Sequence, residues 1–175
     1  MTTKADFNAE EWERIAQAPA LAGLLVILAD RGGTIRETVA LGRAYAEARR
    51  DAADELLGDI VATAPQVDPT SLGPGDQLRQ QLPERIREAV RIVEEKGTRE
   101  QAEEYRQFIL RVADVVAHAH KEGGVLGIGG KEVSESERAA LDELERTLGA
   151  TQDAAQAGST GIVADSSGDG ISRSS

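Results

Sequence analysis

Four groups of residues in this 175-residue chain are of types that could do chemistry, and each is limited by its spacing. Asp165, Ser167, Asp169 and Gly170 fall on positions one, three, five and six of a calcium loop, where oxygen ligands and a sharp turn are needed. The match stops there, because the position-eight aliphatic is displaced to Ile171 and the bidentate Glu of position twelve has no counterpart. His118 and His120 lie about 200° apart around a helix, so they cannot share a metal as residues four apart can. Gly123 to Gly130 holds five glycines in eight positions, and glycine-rich turns that lead into helices bind anions through backbone N–H groups. Here the run follows a helical pattern rather than a strand and ends Gly130-Lys131-Glu132, without the Ser or Thr of a phosphate loop. Ser134 with His118 or His120 would make a nucleophile and base, but Ser134 stands where a helix cap is required. Without cysteine there is no thiol catalysis or thiolate metal site. Acid–base and nucleophilic groups are sparse, and the expectation is a protein that is not an enzyme, with no cofactor beyond a divalent cation.

The elements that position these residues are helices. Tyr105, Phe108, Ile109, Val112, Val115, Val116 and Ala119 recur at spacings of three and four on one stripe of a 3.6-residue helix. Thr98 with Gln101 forms a capping box at its start, and Gly123 marks its end, so a central core helix is predicted over Thr98 to Gly123. Upstream, Asn8 with Glu11 is a second capping box, and Phe7 before the cap can pack on Trp12 as a hydrophobic staple. Pro19 either kinks that first helix or opens its second segment. Ala20 to Ala29 has no polar face and belongs in the middle of a bundle. Thr34 with Glu37 opens Ile35 to about Ala64, mostly helix formers, which read equally as one helix or as two with a break near Arg49 to Asp51. Pro65 to Asp76 reads as a surface loop, Leu78 begins a short turn, and Pro83 suits the first position of a helix to Lys96. Glu84 to Arg87 and Glu88 to Arg91 are at ion-pair spacing on its solvated face. Ser134 with Glu137 caps a last helix carrying Leu141, Leu144 and Leu148, closed by Gly149.

The fold class that follows is all-α, a single-domain bundle of five to seven helices over 1–149 with a disordered Gly/Ser-rich tail over 150–175. The tail has too few large aliphatics, Ile162, Val163 and Ile171, to offset its ordering entropy. Core contributions are expected from Leu24, Leu25, Ile27, Leu28, Val39, Leu56, Leu57, Ile60, Val90, Val93, the central stripe and the three leucines of the last helix. A net charge of −11 repels phosphate backbones and anionic lipid, which argues against nucleic acid and membrane surfaces as partners. The longest apolar run, Ala20 to Ala29, is about half the roughly 20 residues that a spanning helix requires, and the opening residues lack the basic and apolar regions of a secretory signal. No membrane insertion and a cytoplasmic location are the expectations.

One internal echo bears on function. Leu28 to Glu37 joins two helices through a glycine pair and a Thr-x-x-Glu cap, and Gly129-Gly130 before Ser134 to Glu137 does likewise, as a duplicated helical hairpin would. Over Ala20 to Leu41 and Ala113 to Leu148 the chain resembles the TerB-like group of small bacterial all-helical proteins. The resemblance implies a place in bacterial stress responses and divalent-cation binding by turn carboxylates, with Asp30 and Glu37, and Glu132 and Glu137, at matching positions. Arg31 and the glycine-rich insertion depart from that pattern.

The leading expectation is a non-enzymatic helical interaction or scaffold protein, with a protein partner or self-association. The alternative is a TerB-like divalent-cation-binding stress-response module. Val125, Leu126 and Ile128, set among glycines, either plug the end of the bundle or form an apolar finger for a partner. The plug is the expectation. Changing both Leu126 and Ile128 to Ser should then lower stability by several kcal/mol in urea unfolding, since a buried aliphatic contributes about 1.5 to 3 kcal/mol. An unchanged midpoint with lost self-association would make them the finger.

Overall fold

The computed structural model describes residues 1–29, 35–52, 54–63, 75–119 and 133–159. Among these residues the chain forms one 3-10 turn, Lys4–Asp6, and six α-helices with no strand: α1 Ala9–Ala29, α2 Ile35–Asp51, α3 Glu55–Ala62, α4 Gly75–Lys96, α5 Arg99–His118 and α6 Glu135–Ser159. The all-α bundle is as the hydrophobic periodicity requires. Over 35–64, where the sequence leaves one helix or two open, the structure has two, the second capped by Asp54.

Two helices hold the others. Both α1 and α5 touch every other helix. In α5 the predicted stripe is the core: Tyr105, Phe108, Ile109, Val112 and Val116 are fully buried, and Val115 and Ala119 are partly so. Its capping box is formed, with Gln101 N–H donating to Thr98 Oγ1 at 3.2 Å and Thr98 N–H to Gln101 Oε1 at 3.0 Å. Gly23 on α1 lets these helices approach, because a Cβ there would stand 3.3 Å from Val116 Cγ2 and 3.4 Å from Leu41 Cδ1 on α2. By length and composition α1 is apolar enough to cross a membrane, which the ten-residue run alone did not indicate; most of it is covered by its neighbours.

Pro19 lies inside α1, and the helix runs through it unbroken. A proline removes the N–H that would reach the carbonyl four residues back, here Ile15, which is buried. The Tyr105 hydroxyl of α5 takes the missing donor's place, 2.8 Å from the Ile15 carbonyl oxygen. α4 is likewise continuous through Pro83 from Gly75, so Pro83 does not open that helix and Leu78 is helical rather than in a turn. The reason is the stripe Leu78, Leu82, Ile86, Val90 and Val93, all buried, whose spacing is kept only if the helix continues. The carbonyl that Pro83 frees belongs to Arg79, an exposed residue, where solvent can take the place of the lost N–H.

Three further expectations are corrected. Val39 is 67% exposed rather than core, because α2 buries the stripe through Ala40, Ala44 and Ala48, and Val39 stands about 100° round from Ala40. Gly149 does not end the last helix, which continues to Ser159, and Gly149 has open space around it. Residues 160–175 lie outside the described residues, as do Gly123 and Thr34. On the face of α4, Arg87 pairs with Glu84 as expected, whereas Glu88 reaches Arg14 of α1 at 3.7 Å and Arg91 pairs with Glu95 at 3.6 Å. The Asn8 capping box is formed: Asn8 N–H donates to Glu11 Oε2 and Glu11 N–H to Asn8 Oδ1, at 2.8 and 2.9 Å. Phe7 and Trp12 meet as a staple with ring centroids 6.2 Å apart.

Tyr105→Phe should cost about 1 to 3 kcal/mol, the penalty of leaving a buried carbonyl without its donor. The cost should shrink in a Pro19→Ala background, where the backbone supplies the N–H; equal costs in both backgrounds of a double-mutant cycle would show that the hydroxyl does not compensate the proline. A second expectation concerns alkaline pH. Both tyrosines of the chain, Tyr45 and Tyr105, are buried, and burial raises their hydroxyls above the ordinary 10.0. The folded state therefore holds the neutral forms, and their contribution is complete below about pH 10 and lost as pH rises beyond it. Tyrosinate absorbance is expected to appear only together with loss of helical circular dichroism, and early ionisation with the helices intact would refute it.

Candidate functional site

Where α2, α3 and α5 meet, the alanines of α2 leave a crevice of about 300 Å³. Ala44 and Ala48 of α2 and Ala52 just past its end follow at four-residue spacing, Ala52 N–H still bonded to the Ala48 carbonyl at 2.9 Å, so they line one face, and their small side chains do not fill the space to α5. Phe108 forms the floor and Leu57 of α3 a wall. Phe108 is buttressed from beneath by Tyr45, edge-on with ring centroids 5.2 Å apart and planes at 77°. The Tyr45 hydroxyl is buried without a hydrogen-bond partner of good geometry, although it lies close to the Ala20 backbone.

The rim is polar. Glu47 accepts from Arg43 Nε at 3.0 Å, and Asp114 Oδ1 lies 3.2 Å from Nδ1 of His118. Arg111 completes the lining and has no ion pair among the described residues. The arrangement is an apolar slot with one uncommitted guanidinium beside it. Such a slot binds by desolvation of an apolar group and orients it by charge. Among the described lining residues no acid and base are aimed at a common point inside the slot.

A larger open groove of about 520 Å³ runs between α1 and α4, lined by Glu10, Glu13, Arg14, Gln17, Leu21, Arg85 and Glu88. Most of its charges are engaged, Arg14 3.9 Å from Glu10 and 3.7 Å from Glu88 and Gln17 Nε2 donating to Glu13 at 3.0 Å, while among the described residues Arg85 reaches only Gln81 at 3.4 Å. Exposed pairs of this kind are worth about 0 to 1 kcal/mol and mark a solvated face.

Most residues singled out from sequence lie elsewhere. Of the turn carboxylates, Asp30 and Glu132 and the side chain of Glu37 lie outside the described residues. Glu137 is described and is only 2% exposed. Its Oε2 accepts from Ser134 N–H at 2.8 Å, and its own N–H donates to Ser134 Oγ at 3.2 Å, so both residues cap α6. Among the described residues no three His, Asp or Glu side chains are grouped to hold a metal ion. Val125, Leu126, Ile128, His120 and the Asp165 to Gly170 run lie outside the described residues. His118 is on the surface of the last turn of α5, its Nδ1 2.9 Å from the Asp114 carbonyl oxygen. The crevice itself was not anticipated. Its signal in the sequence is weak, a row of alanines on one helix set against a phenylalanine on another, and an absence of volume has no motif. Comparison with known protein families, with curated proteins and with solved structures returns no match, so the functional reading rests on the geometry of this chain.

Proposed function

We propose that this chain is a non-enzymatic helical interaction module that seats one large apolar side chain of a protein partner in the α2–α3–α5 crevice. The observation that supports the reading is the slot over Phe108 with Arg111 uncommitted at its edge. At about 300 Å³ it is at the lower limit of ligand pockets, of a size for a single anchoring side chain rather than a cofactor. Glu47 and Asp114 are taken up by Arg43 and His118, so the rim favours an anchor with a carboxylate close by, on the same helix or strand of the partner. Among the described residues Val39 and Met1 are the exposed large hydrophobics and Leu24, Ile27, Leu28 and Leu41 are partly buried; the crevice differs from these in being a concavity.

The test uses a photo-crosslinking residue at Ala52, the half-buried edge of the slot, to recover the partner and the residue that it inserts. Arg111→Glu and Ala52→Trp, the one reversing the rim charge and the other filling the slot, should each weaken binding of that partner about tenfold or more, equivalent to about 1.4 kcal/mol, with the melting temperature nearly unchanged. Affinity indifferent to both substitutions would sink the proposal. The divalent-cation reading implied by the TerB-like resemblance is separated by calorimetry with calcium or magnesium after chelation. A silent titration leaves the interaction reading standing, and a saturable heat lost on changing Asp30 and Glu37 to Ala replaces it.

A further inference from the structure

The residues before α1 are fastened to the bundle by polar contacts that converge on α3. The Gln101 side-chain amide treats the backbone of Thr2 as one strand treats another: Thr2 N–H donates to Gln101 Oε1 at 3.2 Å, and Gln101 Nε2 donates to the Thr2 carbonyl at 2.8 Å. The same Nε2 lies 3.2 Å from both carboxylate oxygens of Asp54, and Gln101 is only 4% exposed. Asp54 is the N-cap of α3, accepting from the N–H groups of Leu56 and Leu57 at 2.8 and 3.4 Å. Two residues on, Lys4 N–H donates directly to Asp59 of α3 at 3.3 Å. The Thr2 hydroxyl donates to the carbonyl of Lys96, the last residue of α4, at 2.8 Å. Lys96 in turn sets its ammonium over the Phe7 ring, 5.7 Å from the centroid, and 2.6 Å from Glu11 Oε2.

α3, which also buries Leu56, Leu57, Ile60 and Val61, is the short element that this clasp reaches. At eight residues it is too short to be stable alone. At its far end Arg49 of α2 donates from Nε to the Val61 carbonyl at 2.7 Å, so that end is tied to α2. Its near end is tied through Asp54 to Gln101, and through Gln101 and Asp59 to residues 2–4. We propose that residues 2–6 are a conformational strap that controls the docking of α3, and hence the Leu57 wall of the crevice. With the strap fastened, Gln101 is held at all its polar positions and presents its amide to Asp54. With the strap released, Gln101 loses both of its Thr2 contacts and Asp59 loses its donor, so the first turn of α3 opens while the α1–α4–α5–α6 body stays packed. Control of the wall rests on the crevice reading; control of α3 does not.

Hydrogen exchange on the full chain, with no partner present, tests the strap by itself. Removal of residues 2–6 should speed exchange of the α3 amides about tenfold or more, as expected of selective local opening, while amides of α4 and α6 stay within about twofold. Thr2→Pro, which removes one N–H of the clasp and the hydroxyl contact to Lys96, should give the same selective pattern at smaller amplitude. Uniform acceleration across the bundle in either variant, unchanged exchange in α3, or failure of both variants to fold would overturn the proposal. If the exchange pattern appears while Ala52→Trp leaves partner binding untouched, the strap stands and the crevice reading falls.

Discussion

The hydrogen bond from the Tyr105 hydroxyl to the Ile15 carbonyl is the constraint around which the bundle is arranged. An interior proline costs a helix about 3 kcal/mol or more, partly through the carbonyl left without a donor, and at Ile15 no water can serve. Supplying that donor from α5 fixes the rotation and height of α5 against α1. Once Tyr105 is placed, the residues at three- and four-residue spacing from it, Phe108, Ile109 and Val112, are aimed at α1 and α2, and Gly23 admits the close approach that follows. Both helices then offer surface to all the others. Pro83 makes the same local defect on an exposed turn of α4, where it imposes nothing on the fold.

Buried polar groups do a second part of the organising, at helix ends rather than in the middle of the core. Gln101 is at once the third residue of a capping box, a partner for a backbone segment and a donor to the N-cap of another helix. Near the middle of α5, Arg106 is 8% exposed and joins Glu94 of α4 and Glu103, the latter at 3.1 Å. Removing one member of such a buried set leaves a charge or amide without a partner, which costs far more than the set contributes when whole. Gly97 shows how tight these junctions are: its N–H donates to the Val93 carbonyl at 2.7 Å, and a Cβ at Gly97 would stand 2.7 Å from that same oxygen. These contacts join the close of α4, the opening of α5 and the start of α3 into one corner, and the crevice lies on the α2 side of it.

Much of this was legible in the residues because it depends on local rules. Three capping boxes, the staple at Phe7 and Trp12, the buried stripe of α5 and the all-round apolar segment of α1 follow from helix periodicity and from the donors that a helix leaves free at its start. Helix class and the identity of most core residues need no knowledge of what lies opposite. What lies opposite decided the rest. Whether Pro19 and Pro83 break their helices depends on whether a donor or water reaches the freed carbonyl. Whether Val39 is core depends on which stripe α2 turns inward, and three alanines with Tyr45 won that face. Glu88 chose Arg14 on another helix over Arg91 on its own. The crevice and the clasp on α3 are entirely tertiary: one is volume left unfilled between three helices, and the other joins residues 99 positions apart through a side chain whose visible local duty was only to cap.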